Sequence, residues 1–294
     1  MSAGNAVERG SEAVDAGDAM SRSSTHQRTD KQQRLASRYG PWAIVTGASD
    51  GIGRAFAYDL AAAGLNVVLV ARRGEILHRI AGELRAQHRV STLVITVDLA
   101  RADAVAMINS ATRELDAGLL VAAAGFGTSG PLIDAALTPE LEMVDVNCRA
   151  VLELSHEFGR RFAERGRGGI ILLSSLVAFQ GVPRTANYAA TKAYVQSLAE
   201  GLHLELAPRG VDVLSSAPGP ISSGFANRAR MTMGMTQAPA DVARASLDAL
   251  GRRGTVRPGW LAKGLAASLM FLPRWGRVRM MGVVMAGMTK HGNA

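Results

Sequence analysis

The stretch "AIVTGASDGIGR", residues 43–54, decides how this chain is read. A short apolar, β-prone run leads directly into three glycines, Gly47, Gly51 and Gly53, and then into residues that open a helix. Glycine lets the backbone turn tightly and lets its N–H groups approach a ligand closely. A helix N-terminus presents unpaired N–H groups and positive partial charge, so the segment suits an anion such as a pyrophosphate. The spacing is G-x-x-x-G-x-G rather than G-x-G-x-x-G, so the motif alone suggests a dinucleotide without specifying one. Ser49, Asp50 and Ile52 complete the turn and join the glycines as candidate cofactor-binding residues.

Working outward, the same alternation recurs along the chain. Further apolar runs are "VVLV" (67–70), "LVITV" (93–97), "LLVAA" (119–123), "IILL" (170–173) and "VDVL" (211–214). Their near-continuous hydrophobicity implies burial on both faces, as in a parallel sheet covered by helices. Segments 52–63, 75–87 and 101–115 are long enough for crossover helices. The pattern predicts one α/β domain over residues 40–260, a doubly wound parallel sheet of Rossmann-like type with helices on both faces.

Composition limits the alternatives. A single cysteine, Cys148, excludes an internal disulfide and reads as a small packed hydrophobe, and no Cys or His cluster has metal-ligand spacing. A reducing compartment, the cytoplasm, fits best. Residues 1–38 are rich in Ser, Gly, Ala, Asp and Arg and are expected to be a disordered extension, because they bury too little to offset ordering entropy. They lack the apolar core of a secretory signal, and Glu8, Glu12, Asp15 and Asp18 argue against a transit peptide. The net charge of +8 comes from the C-terminal end, where eight bases and no acid lie between Gly251 and Ala294. The other 25 bases match the 25 acids, so no nucleic-acid partner is expected.

The second run ends in "VARRGE", where Ala71 stands in the place of a ribose-binding acid and Arg72 and Arg73 follow. A carboxylate there would repel a 2′-phosphate, whereas a guanidinium pairs with it in a bidentate manner, so NADP(H) is favoured over NAD(H). Asp98 and Leu99, at the end of the third run, are placed for the adenine.

Across residues 41–260 these features resemble the short-chain dehydrogenase/reductase family. The resemblance rests on "TGASDGIG", "VDL" (97–99), "AAAG" (122–125), "DVN" (145–147), "LLSS" ending at Ser175, "YAATK" (188–192) and "PGPISS" (218–223), with the serine thirteen residues before the tyrosine. It implies that Ala124 and Gly125 admit the cofactor and that Pro218, Gly219, Ile221 and Ser223 hold its nicotinamide end. Ala122 and Ala123 depart from the family's asparagine pair, which puts the hydrogen bonding of the central sheet in question.

Tyr188 and Lys192, at i and i+4, share one helix face. An apolar stripe of Val195, Leu198, Ala199, Leu202 and Leu206 on the same helix also accounts for a tyrosine there as a packing residue. For chemistry at neutral pH a phenol with a pKa of about 10 would need to move about three units, roughly 4 kcal/mol, and a nearby ammonium, with the positive nicotinamide of an oxidised cofactor, favours the phenolate, Lys192 supplying part of the shift. The resemblance further implies that Tyr188 is the acid/base, Lys192 holds the nicotinamide ribose, Ser175 binds the substrate oxygen and Asn147 holds a water of a proton relay.

By the resemblance, the segment 220–238 is the family's variable substrate loop, with Phe225, Met231, Met233 and Met235 as pocket or filler and Arg228 and Arg230 placed to meet an anionic group. The basic, apolar extension 261–294 is interrupted by "PRWGRVR", and neither apolar block reaches the roughly 20 residues needed to span a bilayer. It reads first as a cover over the cleft or a subunit seam, and second as a peripheral membrane contact. The resemblance is closest to reductases of 3-oxoacyl chains and steroids. A small apolar carbonyl or alcohol substrate and a homo-oligomer follow from it, with a catalytically silent NADP(H)-binding regulator as the competing reading.

Overall fold

The computed structural model describes residues 33–222, 224–229, 231, 236–259, 264 and 272–289. Its centre is a seven-stranded parallel sheet in the order β3-β2-β1-β4-β5-β6-β7. The strands are β1 (Trp42–Thr46), β2 (Asn66–Ala71), β3 (Thr92–Thr96), β4 (Ala117–Ala122), β5 (Gly168–Leu173), β6 (Val211–Ser216) and the two-residue β7 (Thr255–Val256). The six apolar runs are thus the first six strands. β7 is too short to leave a hydrophobic signature.

Side chains alternate across the sheet, so each strand feeds two cores. Val45, Leu69, Val121 and Leu214 pack on one face against α2 (Gly51–Ala62) and α3 (Gly74–His88). Ile44, Val68, Leu120 and Val213 pack on the other against α4 (Ala104–Ala111), α6 (Ala150–Arg165) and α7 (Ala186–Leu206). Between α5 (Leu137–Val144) and α6 the chain passes through a π-helical turn, Asp145–Arg149. Pro239–Ala249 forms α9, after the short α8 (Phe225–Arg228), and Arg274–Thr289 forms the last described helix, α10.

The expectation of disorder through residue 38 is corrected for its last six residues. Residues 33–39 form a helix, α1, that closes the first core with Leu35 and Tyr39 fully buried. The Arg34 guanidinium donates to the carbonyls of Leu247 and Leu250 at 3.1 Å each, and Tyr39 Oη donates to Asp212 Oδ2 at 2.6 Å. A single leucine and tyrosine in polar surroundings gave no periodicity to read. Residues 1–32 lie outside the described residues.

Candidate active site

The strand order reverses between β1 and β4, and in such sheets ligands bind beyond the carboxyl ends of the strands at that point. A cleft of about 1120 Å³ opens there. Gly47, Ser49, Asp50, Gly51, Ile52 and Gly53, in the turn after β1, all line it. Gly47 has φ +67°, and a Cβ on it would lie 2.9 Å from the Ala124 backbone, so both its conformation and its packing require glycine. Asp50 caps α2, its Oδ1 accepting from Gly51 N at 2.7 Å.

Arg72, Arg73, Asp98 and Leu99 also line the cleft. Arg73 donates to Ser49 Oγ at 3.0 and 3.2 Å, and Arg72 Nη1 lies 3.4 Å from Asp98 Oδ2. The Arg72–Asp98 pair is exposed, and exposed pairs are weak enough to yield to a competing phosphate. Ala71 leaves no carboxylate beside them. Two guanidinium groups and a hydroxyl therefore meet at one rim, which fits a 2′-phosphate.

Ala124 and Gly125 follow β4, and Pro218, Gly219 and Ile221 follow β6; all five line the cleft. Ser223 lies outside the described residues, as do Arg230, Met233 and Met235. The alanines replacing the family's asparagines leave the sheet intact. Ala122 stays in register with Thr46 and Leu172, and Thr46 Oγ1 accepts from Ala124 N at 3.1 Å.

The four proposed catalytic residues converge from three elements. Ser175, beyond β5, lies close enough to the Tyr188 hydroxyl to favour its ionised form, and its own Oγ accepts from Val177 N at 3.4 Å. Lys192, one turn along α7 and buried, donates from Nζ to the Leu173 carbonyl at 2.8 Å. Asn147 sits fully buried on the π turn, its Nδ2 donating to Phe126 O at 2.9 Å and Thr191 Oγ1 at 3.0 Å while its Oδ1 accepts from Phe126 N at 3.2 Å. A Cβ on Gly125 would come 3.0 Å from Asn147 Oδ1 and 3.2 Å from Lys192 Nζ, so this glycine lets the two close up. Tyr188 packs against the second core together with Val195 and Ala199, and the same side of α7 buries the polar Lys192 and Gln196.

The expected lowering of the tyrosine's pKa drew on Lys192 together with the positive nicotinamide, whereas in the protein's own field burial dominates both groups. Desolvation pushes the Tyr188 phenol up to about 12, with the Ser175 hydroxyl pulling it back, and pulls the Lys192 ammonium down to about 8. Lys192 Nζ is 5.9 Å from the tyrosine ring centroid, and burial outweighs charge at that separation. At neutral pH the protein's own groups thus give a neutral phenol beside a charged lysine.

Other lining groups escaped the sequence reading. Met281, Met285 and Met288 of α10 line the cleft and pack with Val177, Val182 and Met231. Their i, i+4, i+7 spacing was the available signal. Thr185, one turn before Tyr188, lines the cleft with a buried, unpartnered Oγ1. Phe179 and Arg257 line it as well. Of the loop residues named from the sequence, Phe225, Arg228 and Met231 line the cleft, and Arg228 stacks 3.8 Å from the Phe126 ring centroid.

A family model described as short chain dehydrogenase matches residues 41–234. The chain belongs to the short-chain dehydrogenase/reductase family. It is an oxidoreductase by that membership and by its intact Ser-Tyr-Lys set. Among relatives of this short-chain dehydrogenase is the 7beta-hydroxysteroid dehydrogenase of Clostridium sardiniense, 34% identical over 76% of this chain and 87% of the relative. A solved short-chain dehydrogenase from Sphingobium yanoikuyae in complex with NADPH is 28% identical, with a TM-score of 0.71 over 80% of this chain and 97% of that one. The inactive hydroxysteroid dehydrogenase-like protein 1 of Rattus norvegicus is 34% identical over 63% of this chain and 57% of the relative.

Proposed function

We propose that this short-chain dehydrogenase is an NADPH-dependent reductase that interconverts a ketone and a secondary alcohol on an apolar substrate. The observation that carries the reading is the convergence of Ser175, Tyr188 and Lys192 with the glycine turn in one cleft walled by methionines. NADP(H) is the cofactor: Gly47, Gly51 and Gly53 suit its pyrophosphate, Arg72, Arg73 and Ser49 its 2′-phosphate, and Lys192 its nicotinamide ribose. The NADPH complex of the Sphingobium relative supports that choice. When bound, the cofactor supplies the hydride.

The chain's own residues do the rest. Ser175 donates a hydrogen bond to the substrate's carbonyl oxygen and orients it. Tyr188, a neutral phenol, gives that oxygen its proton as negative charge develops there. Lys192 is positioned to help return a proton to Tyr188, and Asn147 fixes the turn of α7 that carries both by its bond to Thr191. The methionine wall excludes water and accepts an irregular apolar body. In NADPH-oxidation assays over a ketone panel, Tyr188→Phe is expected to lower kcat by about a hundred- to ten-thousandfold while NADPH binding persists. Equal rates in variant and wild type would sink the mechanism.

The inactive rat relative favours one competing reading, a silent NADP(H)-binding regulator. Tight cofactor binding with no turnover of any ketone would favour it. We further assign the chain to the cytoplasm, from its lone cysteine, as a homo-oligomer formed through α5, α6 and α7. None of the described helices is long and apolar enough to cross a membrane. The burial of Met285 beside the cleft supports the reading of α10 as a cover.

A further inference from the structure

The basic C-terminal end of the sequence reaches the cleft. Arg253, Arg257 and Arg277, three of its eight bases, line it. Arg257 directly follows β7, at the opposite edge of the sheet from β2 and β3, which carry the arginines assigned to the 2′-phosphate and Asp98. It therefore belongs to the substrate's side of the site rather than to the adenosine's.

Its guanidinium carbon lies 4.3 Å from the ring centroid of Phe179, on the turn that starts just after Ser175. Stacking holds the planar fork in one orientation, which suits bidentate capture of an oxyanion. Among the described residues Arg257 makes no hydrogen bond or ion pair, and its Nε is buried without a partner. A buried donor without an acceptor is costly and is rarely retained unless something binds it. Glu200 also lines the cleft, but its Oε1 accepts from Gln196 Nε2 at 2.7 Å. Val177, Met281 and Met285 add apolar surface to the cleft wall.

We propose that the substrate is a lipophilic ketone that carries an oxyanion away from its reacting carbonyl, and that Arg257 binds that oxyanion. The proposal rests on the reductase reading and narrows its substrate class. Carboxylate and sulfate share the required chemistry.

The test uses the full chain with oxostearic acid, an oxosteroid carboxylic acid and an oxosteroid sulfate, each against its methyl ester or free alcohol. Wild type is expected to reduce at least one anion with higher kcat/KM than its neutral partner, and the arm that responds identifies the anion. In Arg257→Met that anion-over-neutral ratio should fall by about ten- to a hundredfold, with partial recovery in Arg257→Lys. An unchanged ratio, equal loss on anion and neutral partner, or a wild type preferring the neutral compounds would overturn it. Should Arg257→Met not fold, Arg257→Gln takes its place. If wild type reduces no ketone, the reductase reading fails by itself. Calorimetric binding of the same pairs with NADP(H) present then decides Arg257, since selective loss of anion binding supports its role and equal binding refutes it.

Discussion

Tyr188 and Lys192 titrate in opposite directions from their ordinary values, and the consequence is a pH profile. Reduction needs the phenol protonated, which holds below about 12, and the ammonium charged, which holds below about 8. The profile of kcat/KM, which reports the free enzyme, should be level at lower pH and fall as pH rises through about 8. A profile that climbs through that pH would contradict the assignment. At the rim, Arg72→Ala should cut discrimination for NADPH over NADH by about tenfold, measured as the ratio of the two Kd values. Unchanged discrimination would remove Arg72 from the 2′-phosphate site. Tyr188 and Lys192 were legible from one helix turn and the glycines from one tight loop, whereas the roles of Ser175 and Asn147 came from the family resemblance. The protonation of Tyr188 and Lys192 was not legible, because it depends on how much water the rest of the fold removes.

Elements were legible where their periodicity is long and clean. The first six strands show as apolar runs, but α1 and β7 do not, since Leu35 and Tyr39 gain their meaning only by packing under α9 and beside β6. Leu35→Ala should cost about 2–5 kcal/mol and lower the Tm by several degrees, as buried leucines do. A Tm equal to wild type would mean that α1 does not close the core. The π turn was equally hidden: "DVN" reads as plain helix, yet the extra residue turns Asn147 inward to bond both Phe126 and Thr191.

For the whole molecule, the apolar surface that remains uncovered is informative. Leu141, Val144 and Leu152 are exposed along α5 and α6, with Tyr194 exposed on α7. These are the helices through which a second copy would pair. Light scattering should therefore give a multiple of the 30.9 kDa chain mass, and Leu141→Asp with Leu152→Asp should return the monomer. A monomeric wild type would refute the pairing. The cover is likewise a property of the whole molecule. Sequence left α10 divided between cover, seam and membrane contact, and the burial of Met285 beside Val182 and Ala189 supports the cover.

By itself the sequence determined the sheet, the glycine turn and the arginines after β2, because each is a local pattern whose spacing constrains the chain, and the family resemblance joined Ser175 to Tyr188 and Lys192. Tertiary structure alone decided that burial opposes ionisation of Tyr188, that α1 belongs to the core, that α10 lines the cleft and that Arg257 lines it with no hydrogen bond or ion pair among the described residues. Those properties depend on desolvation and on contacts between residues far apart in the chain, and no local spacing encodes either.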